Sequence, residues 1–297
     1  METIAVIGAT GQLGFALEDQ FKTTRYSLAL AHRPEVDLTN PASLRKLIAA
    51  HNPSLVINAA AYTAVDKAET DPETAFAVNA SGPAQLAEIC RSMEIPLMHY
   101  STDYVFGGNE ARAYSESDPV APVGVYAKSK VAGEENIRAD LPRHIIVRTS
   151  WLYGLHGNNF VKTMLKLGQT RETLRVVSDQ RGCPTYAGDL AAATVRIVGR
   201  VFSGTADAWG TYHYCNAGET SWHGFATEIF RLAAQIPSYN MACRTIEAIP
   251  TVEYPTPARR PPNSVLDCRL IRERFGIEIP HWKEALARVL PEMVSRL

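Results

Sequence analysis

The sequence predicts an α/β fold, with a doubly wound parallel sheet over residues 1–150 and a smaller C-terminal α/β lobe over residues 151–297. Through the first 150 residues, short β-branched runs alternate with longer helical patterns, and a glycine-rich turn follows directly on the first run. Beyond residue 150, helical stretches are separated by loops rich in Pro, Gly and aromatics. Residues 4–7, 55–58, 97–101 and 145–148 are apolar runs too short for helices and bounded by turn or helix-start residues, so they read as buried strands. Asn40-Pro41 and Asp71-Pro72 each place a capping side chain before a proline, whose missing N–H costs nothing at the first helical position. In the second lobe, helical patterns fall near residues 159–167, 187–198, 221–234 and 281–295. Residues 211–215 read as another strand, so the chain is expected to re-enter the first sheet around 172–216.

Composition narrows the function classes. A hydrophobic fraction of 46% and a charged fraction of 21%, with 19 Gly and 18 Pro, exclude disorder and a collagen-like rod. With 30 Lys and Arg against 31 Asp and Glu, no long-range field draws in nucleic acid or an anionic membrane, and neither is expected as a partner. Five widely spaced cysteines without a C-x-x-C pair suit a reducing, cytoplasmic compartment. The opening residues lack a basic segment followed by a long apolar run, so no signal peptide is expected. The eight histidines show no H-E-x-x-H or similar spacing, and no metal site is predicted from them.

The turn after the first strand reads Gly8-Ala9-Thr10-Gly11-Gln12-Leu13-Gly14 and leads into a helical pattern. A tight turn, close approach of a diphosphate to backbone, and close packing of helix on strand each require a residue without a Cβ. The helix N-terminus then presents unpaired N–H groups to the phosphates. About 20 positions further on, where an acidic residue would grip the adenosine ribose, stands Asp37, preceded by His32 and Arg33. An arginine there suits a 2′-phosphate, which favours NADPH with NADH as the alternative. Equally, Arg33 reads as a solvated charge and Asp37 as a turn residue. Asn58-Ala59-Ala60-Ala61 ends a strand with small side chains, leaving room for a flat ligand at the sheet crevice.

Tyr126 and Lys130 lie four apart at the start of a helical pattern running to about residue 139, and so share a face. An ammonium beside a phenol stabilises the phenolate, so Lys130 is expected to make Tyr126 a usable proton donor. Ser101-Thr102 ends the strand that points into the same crevice, where the Thr102 hydroxyl can donate to a carbonyl oxygen or, equally, cap a loop.

These residues together resemble the extended short-chain dehydrogenase/reductase family over almost the whole chain. Beyond residues 8–14, the family-like segments are residues 58–69, Ser-Thr-Asp-Tyr-Val-Phe-Gly at 101–107, Arg-Thr-Ser-Trp-Leu-Tyr-Gly at 148–154, Asn158-Asn159-Phe160, Asp179-Gln180, Gly-Cys-Pro-Thr at 182–185 and residues 257–264. The resemblance implies a Rossmann-like fold and a catalytic trio of Thr102, Tyr126 and Lys130. It implies a cofactor site of Gly8, Gly11, Gln12, Leu13, Asp37, Leu38, Ala61, Thr63 and Lys130, with Asp37-Leu38 at the adenine rather than the ribose. Contacts to sugar and thymidine would fall on Thr102, Asp103, Trp151, Asn159, Phe160, Arg259 and Arg260. The implied reaction is reduction of the C4 ketone of a dTDP-4-keto-6-deoxy sugar by NAD(P)H. Alternatives are another nucleotide-sugar reductase or epimerase of the family, or a non-catalytic NADP-binding regulatory protein like the β subunit of methionine adenosyltransferase. Some members dimerise through magnesium held by carboxylates. Glu292 resembles one such ligand, but Ala16 and Gly188 stand where supporting glutamates are expected, so Mg²⁺ is left open, as is the choice between monomer and homodimer.

Overall fold

The computed structural model describes residues 2–204 and 208–297. Five strands of the first part, β1 (Thr3–Ile7), β2 (Ser27–Ala31), β3 (Leu55–Asn58), β4 (Leu97–Thr102) and β5 (His144–Thr149), pair in the order β5-β4-β3-β1-β2. A sixth strand, Gly210–His213, adds to β5, and every pairing is parallel. The order reverses at β1, which has β2 on one side and β3 on the other, and a ligand crevice opens at such a switch point beyond the carboxyl ends of the strands.

Burial follows the two-residue period of β1. Ile4 and Val6 face a core shared with Leu17 and Phe21 of α1 (Gln12–Phe21) and with Leu190 and Ile197 of the Ala187–Phe202 helix. Ala5 and Ile7 face the opposite core, with Leu44 and Ile48 of α2 (Pro41–His51), Leu86 and Ile89 of the Gly82–Ser92 helix, and Ile137. Each face is therefore covered, which is why these strands are continuous apolar runs.

At the start of α2, Asn40 Oδ1 accepts the N–H groups of Ala42 (3.1 Å) and Ser43 (3.3 Å), the expected cap. Asp71 stands at the equivalent place before Pro72, where the Thr74 hydroxyl and N–H hold its carboxyl below the usual pKa and the Tyr62 hydroxyl donates to it at 3.4 Å.

The second lobe has its own core, built around Tyr153, Leu165, Phe225, Ile229, Trp282 and Leu286. Thr173–Val177 pairs in parallel with Thr245–Ile249 in a separate two-stranded sheet. Of the 172–216 segment, the Ala187–Phe202 helix packs on the first sheet and Gly210–His213 joins it, while residues 205–207 lie outside the described residues. Among the described residues, no helix is long and apolar enough to cross a membrane.

Candidate active site

Gly8 leaves β1 at φ +87°, and a Cβ there would lie 2.6 Å from the Ala60 nitrogen and 2.8 Å from the Ala59 carbonyl carbon. These contacts are backbone and cannot give way, so the turn after β1 and the small residues after β3 require each other. At Gly14 a Cβ would meet the Gly8 oxygen at 2.3 Å, which is how closely α1 sits on its own loop. Gly11 is the N-cap of α1 with extended backbone and no side-chain capping bond, so the first-turn N–H groups are left to a ligand. This cradle fits a dinucleotide diphosphate.

The cradle forms one wall of a cleft of about 1080 Å³. Gly8, Gly11, Gln12 and Leu13 line it, as do Ala59, Ala60, Ala61 and Thr63 from beyond β3. Arg33, Asp37 and Leu38 border its far end. The Asp37 carboxylate accepts the Thr39 N–H and hydroxyl, both at 2.8 Å, and these bonds, with help from Arg33, hold its pKa below the usual value. Arg33 is exposed at the mouth, free to meet a phosphate.

Thr102, Asp103, Tyr126 and Lys130 meet at the other end of the same cleft. Thr102 ends β4, where its Oγ1 donates to Asp103 Oδ1 (3.0 Å) and accepts the Tyr104 N–H (3.2 Å); it is a turn cap as well as a cleft residue. Tyr126 is the second residue of the Val125–Asp140 helix, and its ring packs edge-on to Tyr104 at 5.9 Å. Burial pushes the phenol up to about 12, offset in part by the adjoining Thr102 hydroxyl and reinforced by Asp103. Lys130 shares the cleft, but the expected pairing of its ammonium with the phenol is not made. Its Nζ donates to the Tyr100 carbonyl oxygen (2.7 Å) and lies 3.2 Å from His99 Nε2, and burial brings its pKa down to about 8. The hydrogen bonds of the Lys130 side chain thus go to the backbone and a ring of β4 rather than to the phenol.

The substrate side is more dispersed. Trp151 lines the cleft in a left-handed backbone conformation, φ +44°, with its indole stacked on Trp222 at 3.5 Å and 7°. Phe160 does not border the cleft; it packs behind Trp151, against Trp222 and Phe225. Asn159 is a brace: it caps the Phe160–Gly168 helix through the Lys162 N–H (3.1 Å), and its Nδ2 donates to Gln12 Oε1 (3.0 Å) and the Gly154 oxygen (2.8 Å). Arg260 is turned inward onto Asp66 (2.7 Å), and Arg259 is exposed. Four of the expected substrate contacts, Asn159, Phe160, Arg259 and Arg260, thus stand outside the cleft wall, as supports or on the adjoining loop.

Sequence reasoning passed over several cleft residues, among them Thr10, Tyr62, Ser150 and Asn158. It also passed over Trp222, whose position 71 residues beyond Trp151 gives no local signal. His99 is one of the eight histidines without metal-ligand spacing. It is buried and bonded, but one of its partners is Lys130. Beneath the site, Glu134 and Arg148 form a buried ion pair with Nη2···Oε2 at 2.6 Å. Glu292 engages Arg296, and at Gly188 a Cβ would lie 2.4 Å from the Tyr186 ring, leaving no room for a glutamate without a shift. Among the described residues no group of three or more metal-ligating side chains gathers.

Such a fold, with a glycine cradle and a Tyr–Lys helix opening on one cleft, is that of an extended short-chain dehydrogenase/reductase. Within that class the chain belongs to the family described as RmlD substrate binding domain, whose family model matches residues 1–295. It is similar to the curated dTDP-4-dehydrorhamnose reductases of Sinorhizobium fredii, 42% identical over 97% of this chain and 96% of that one, and of Escherichia coli K12, 39% identical over 98% of each. A crystal structure of dTDP-4-dehydrorhamnose reductase from Bacillus anthracis in complex with NADP superposes with a TM-score of 0.89 at 36% identity, covering 98% of this chain and 99% of that one. A UDP-glucose 4-epimerase of Thermus thermophilus in complex with NAD, at 19% identity and a TM-score of 0.79 over 98% of each chain, shares the fold.

Proposed function

We propose that this protein catalyses the NAD(P)H-dependent reduction of the C4 ketone of dTDP-4-dehydro-L-rhamnose, giving dTDP-L-rhamnose, the last step of dTDP-rhamnose synthesis. The observation that carries this reading is that Thr102, Tyr126 and Lys130 converge in the cleft whose other wall is the Gly8–Gly14 cradle. The nicotinamide, when bound, supplies the hydride. Gly8, Gly11, Gln12 and Leu13 hold the diphosphate, and Arg33 at the mouth favours a 2′-phosphate and hence NADPH. Thr102 donates a hydrogen bond to the substrate oxygen, and Tyr126 gives it a proton as negative charge develops there. A phenol at about 12 remains protonated at neutral pH and so has a proton to give as the alkoxide forms. Lys130 fixes the nicotinamide ribose, and Trp151 covers the sugar face.

Following nicotinamide absorbance with a dTDP-4-keto sugar tests the reading. Stoichiometric consumption is expected of a reductase, recycling of an epimerase, and no substrate-dependent change of a regulatory protein. Tyr126→Phe should retain the cofactor, measured by fluorescence titration, while turnover falls by about 10²–10⁴-fold. Turnover unchanged by this substitution would remove Tyr126 from its role.

A further inference from the structure

Lys130 is 2% exposed, and two of its neighbours have no part in the reading above. From its Nζ a row of polar atoms runs inward: His99 Nε2 at 3.2 Å, then, across the ring, Nδ1 at 3.0 Å from Asn58 Nδ2, then Asn58 Oδ1 at 3.1 Å from the Ala60 backbone nitrogen. Both His99 and Asn58 are buried.

Donors and acceptors in this row follow one from another. A backbone N–H only donates, so the amide atom facing Ala60 is the oxygen and the NH₂ faces His99. That NH₂ also only donates, so Nδ1 accepts and carries no proton. Complete burial by itself holds the His99 pKa well below its ordinary value, which leaves a neutral ring with a single N–H. That proton is therefore on Nε2, aimed at Lys130. An ammonium would meet it with hydrogens alone, whereas a neutral amine offers a lone pair. Every contact is satisfied when Nζ accepts from Nε2 and donates to the Tyr100 oxygen 2.7 Å away.

We propose that Asn58 and His99 form a clamp that favours the neutral amine of Lys130 in the ligand-free protein, and so act as positioning residues for the proton chemistry of the cleft. The clamp deepens the reductase reading and rests on it for its catalytic meaning. The groups that act on Lys130 are His99 and Tyr100 from β4 and Glu134 from its own helix, and Asp103 and Tyr126 line the same cleft. Glu134 favours the ammonium, but its carboxylate is engaged by Arg148 from β5 and by Arg138. Burial and the Nε2–H bond act together against the charge. The positive charge beside Tyr126 is therefore weakened and is lost as pH rises through about 8.

Heteronuclear NMR on the full chain, labelled with ¹⁵N-histidine and ¹³Cε-lysine, tests this without substrate. Signals are assigned by their loss in His99→Asn and Lys130→Arg. The wild type should show the Nε2–H tautomer of His99 and a Lys130 titration at about 8 or lower. The isosteric Asn58→Asp reverses the row, because a carboxylate takes Nδ1–H and leaves Nε2 to accept from an ammonium; the Lys130 midpoint should rise by about one unit or more. An Nδ1–H tautomer in the wild type, or an unmoved midpoint in Asn58→Asp, overturns the clamp. If Asn58→Asp does not fold, the wild-type tautomer decides alone. Failure here leaves the reductase reading standing, and absence of turnover in a protein with the Nε2–H tautomer removes that reading and leaves the clamp.

Discussion

Asp103 sets the charge at the catalytic end of the cleft. One of its oxygens accepts from Thr102, and burial pushes its pKa up to about 6, offset in part by the hydroxyls of Ser264 and Thr102. A carboxyl raised on folding stabilises the native state below its unfolded pKa, and that stabilisation is lost as pH rises through the folded value. Asp103 should therefore penalise folding increasingly between pH 3.8 and about 6. Asp103→Asn keeps the acceptor for Thr102 and removes the ionisation. Its melting temperature should match the wild type near pH 4 and exceed it above about pH 6, with a gain of about 3 kcal/mol. A constant difference across that range would show that Asp103 is not the titrating group. At this scale the sequence showed which residues meet but not which atoms bond. Tyr126 and Lys130 were legible because four residues is one helical turn. His99 was not legible as a partner of Lys130, because that contact depends on the register of β4 against the helix, which no local spacing encodes.

The helix that carries Tyr126 begins without a cap of its own. Gly124 precedes it at φ +82° and has no side chain to offer, and the first N–H, that of Val125, is taken at 2.8 Å by Glu69 Oε1. Glu69 follows α3 (Val65–Ala68), so one element caps another across the fold, with its negative charge at the positive end of the helix. Glu69→Ala should cost about 1 kcal/mol of stability and lower kcat more than cofactor affinity, because the cradle is untouched while the phenol loses its anchor. Glu69→Gln, which keeps the acceptor, should recover most of both. Chemical denaturation and steady-state kinetics measure the pair; loss of cofactor binding with kcat intact would contradict the anchoring. Strands β1, β3, β4 and β5 were legible because burial on both faces makes them unbroken apolar runs. The Thr173–Val177 and Thr245–Ile249 pair was not, since a two-stranded sheet with exposed Thr173, Arg175 and Glu247 has too little buried surface to leave such a run.

Across the whole molecule, the two lobes are tied at points far apart in sequence. Asn159 reaches Gln12 in the cradle, and Asp66 of α3 holds the 255–262 loop by accepting from the Ala258 N–H (3.1 Å) and from Arg260 (2.7 Å). Arg260 holds the Asp66 carboxyl below its usual pKa, so this tie stabilises the fold above the ordinary carboxylate range and weakens as pH falls through the folded value. Both side chains are partly exposed, which limits the pair to roughly 1 kcal/mol or less, too little for the tie to matter chiefly for stability. Its effect is geometric: Lys67 in the same short helix lines the cleft, and the loop that bears Arg259 is fastened beside it. Asp66→Ala should leave the melting temperature nearly unchanged, leave cofactor affinity unchanged because the cradle lies on other elements, and raise KM for the sugar nucleotide about fivefold, the equivalent of 1 kcal/mol. Raising ionic strength in the wild type should reproduce part of that increase, since a half-exposed pair is screened by salt. If KM does not move while the protein remains folded, the loop is not part of the sugar site, and the substrate must be held by the Trp151 side of the cleft alone.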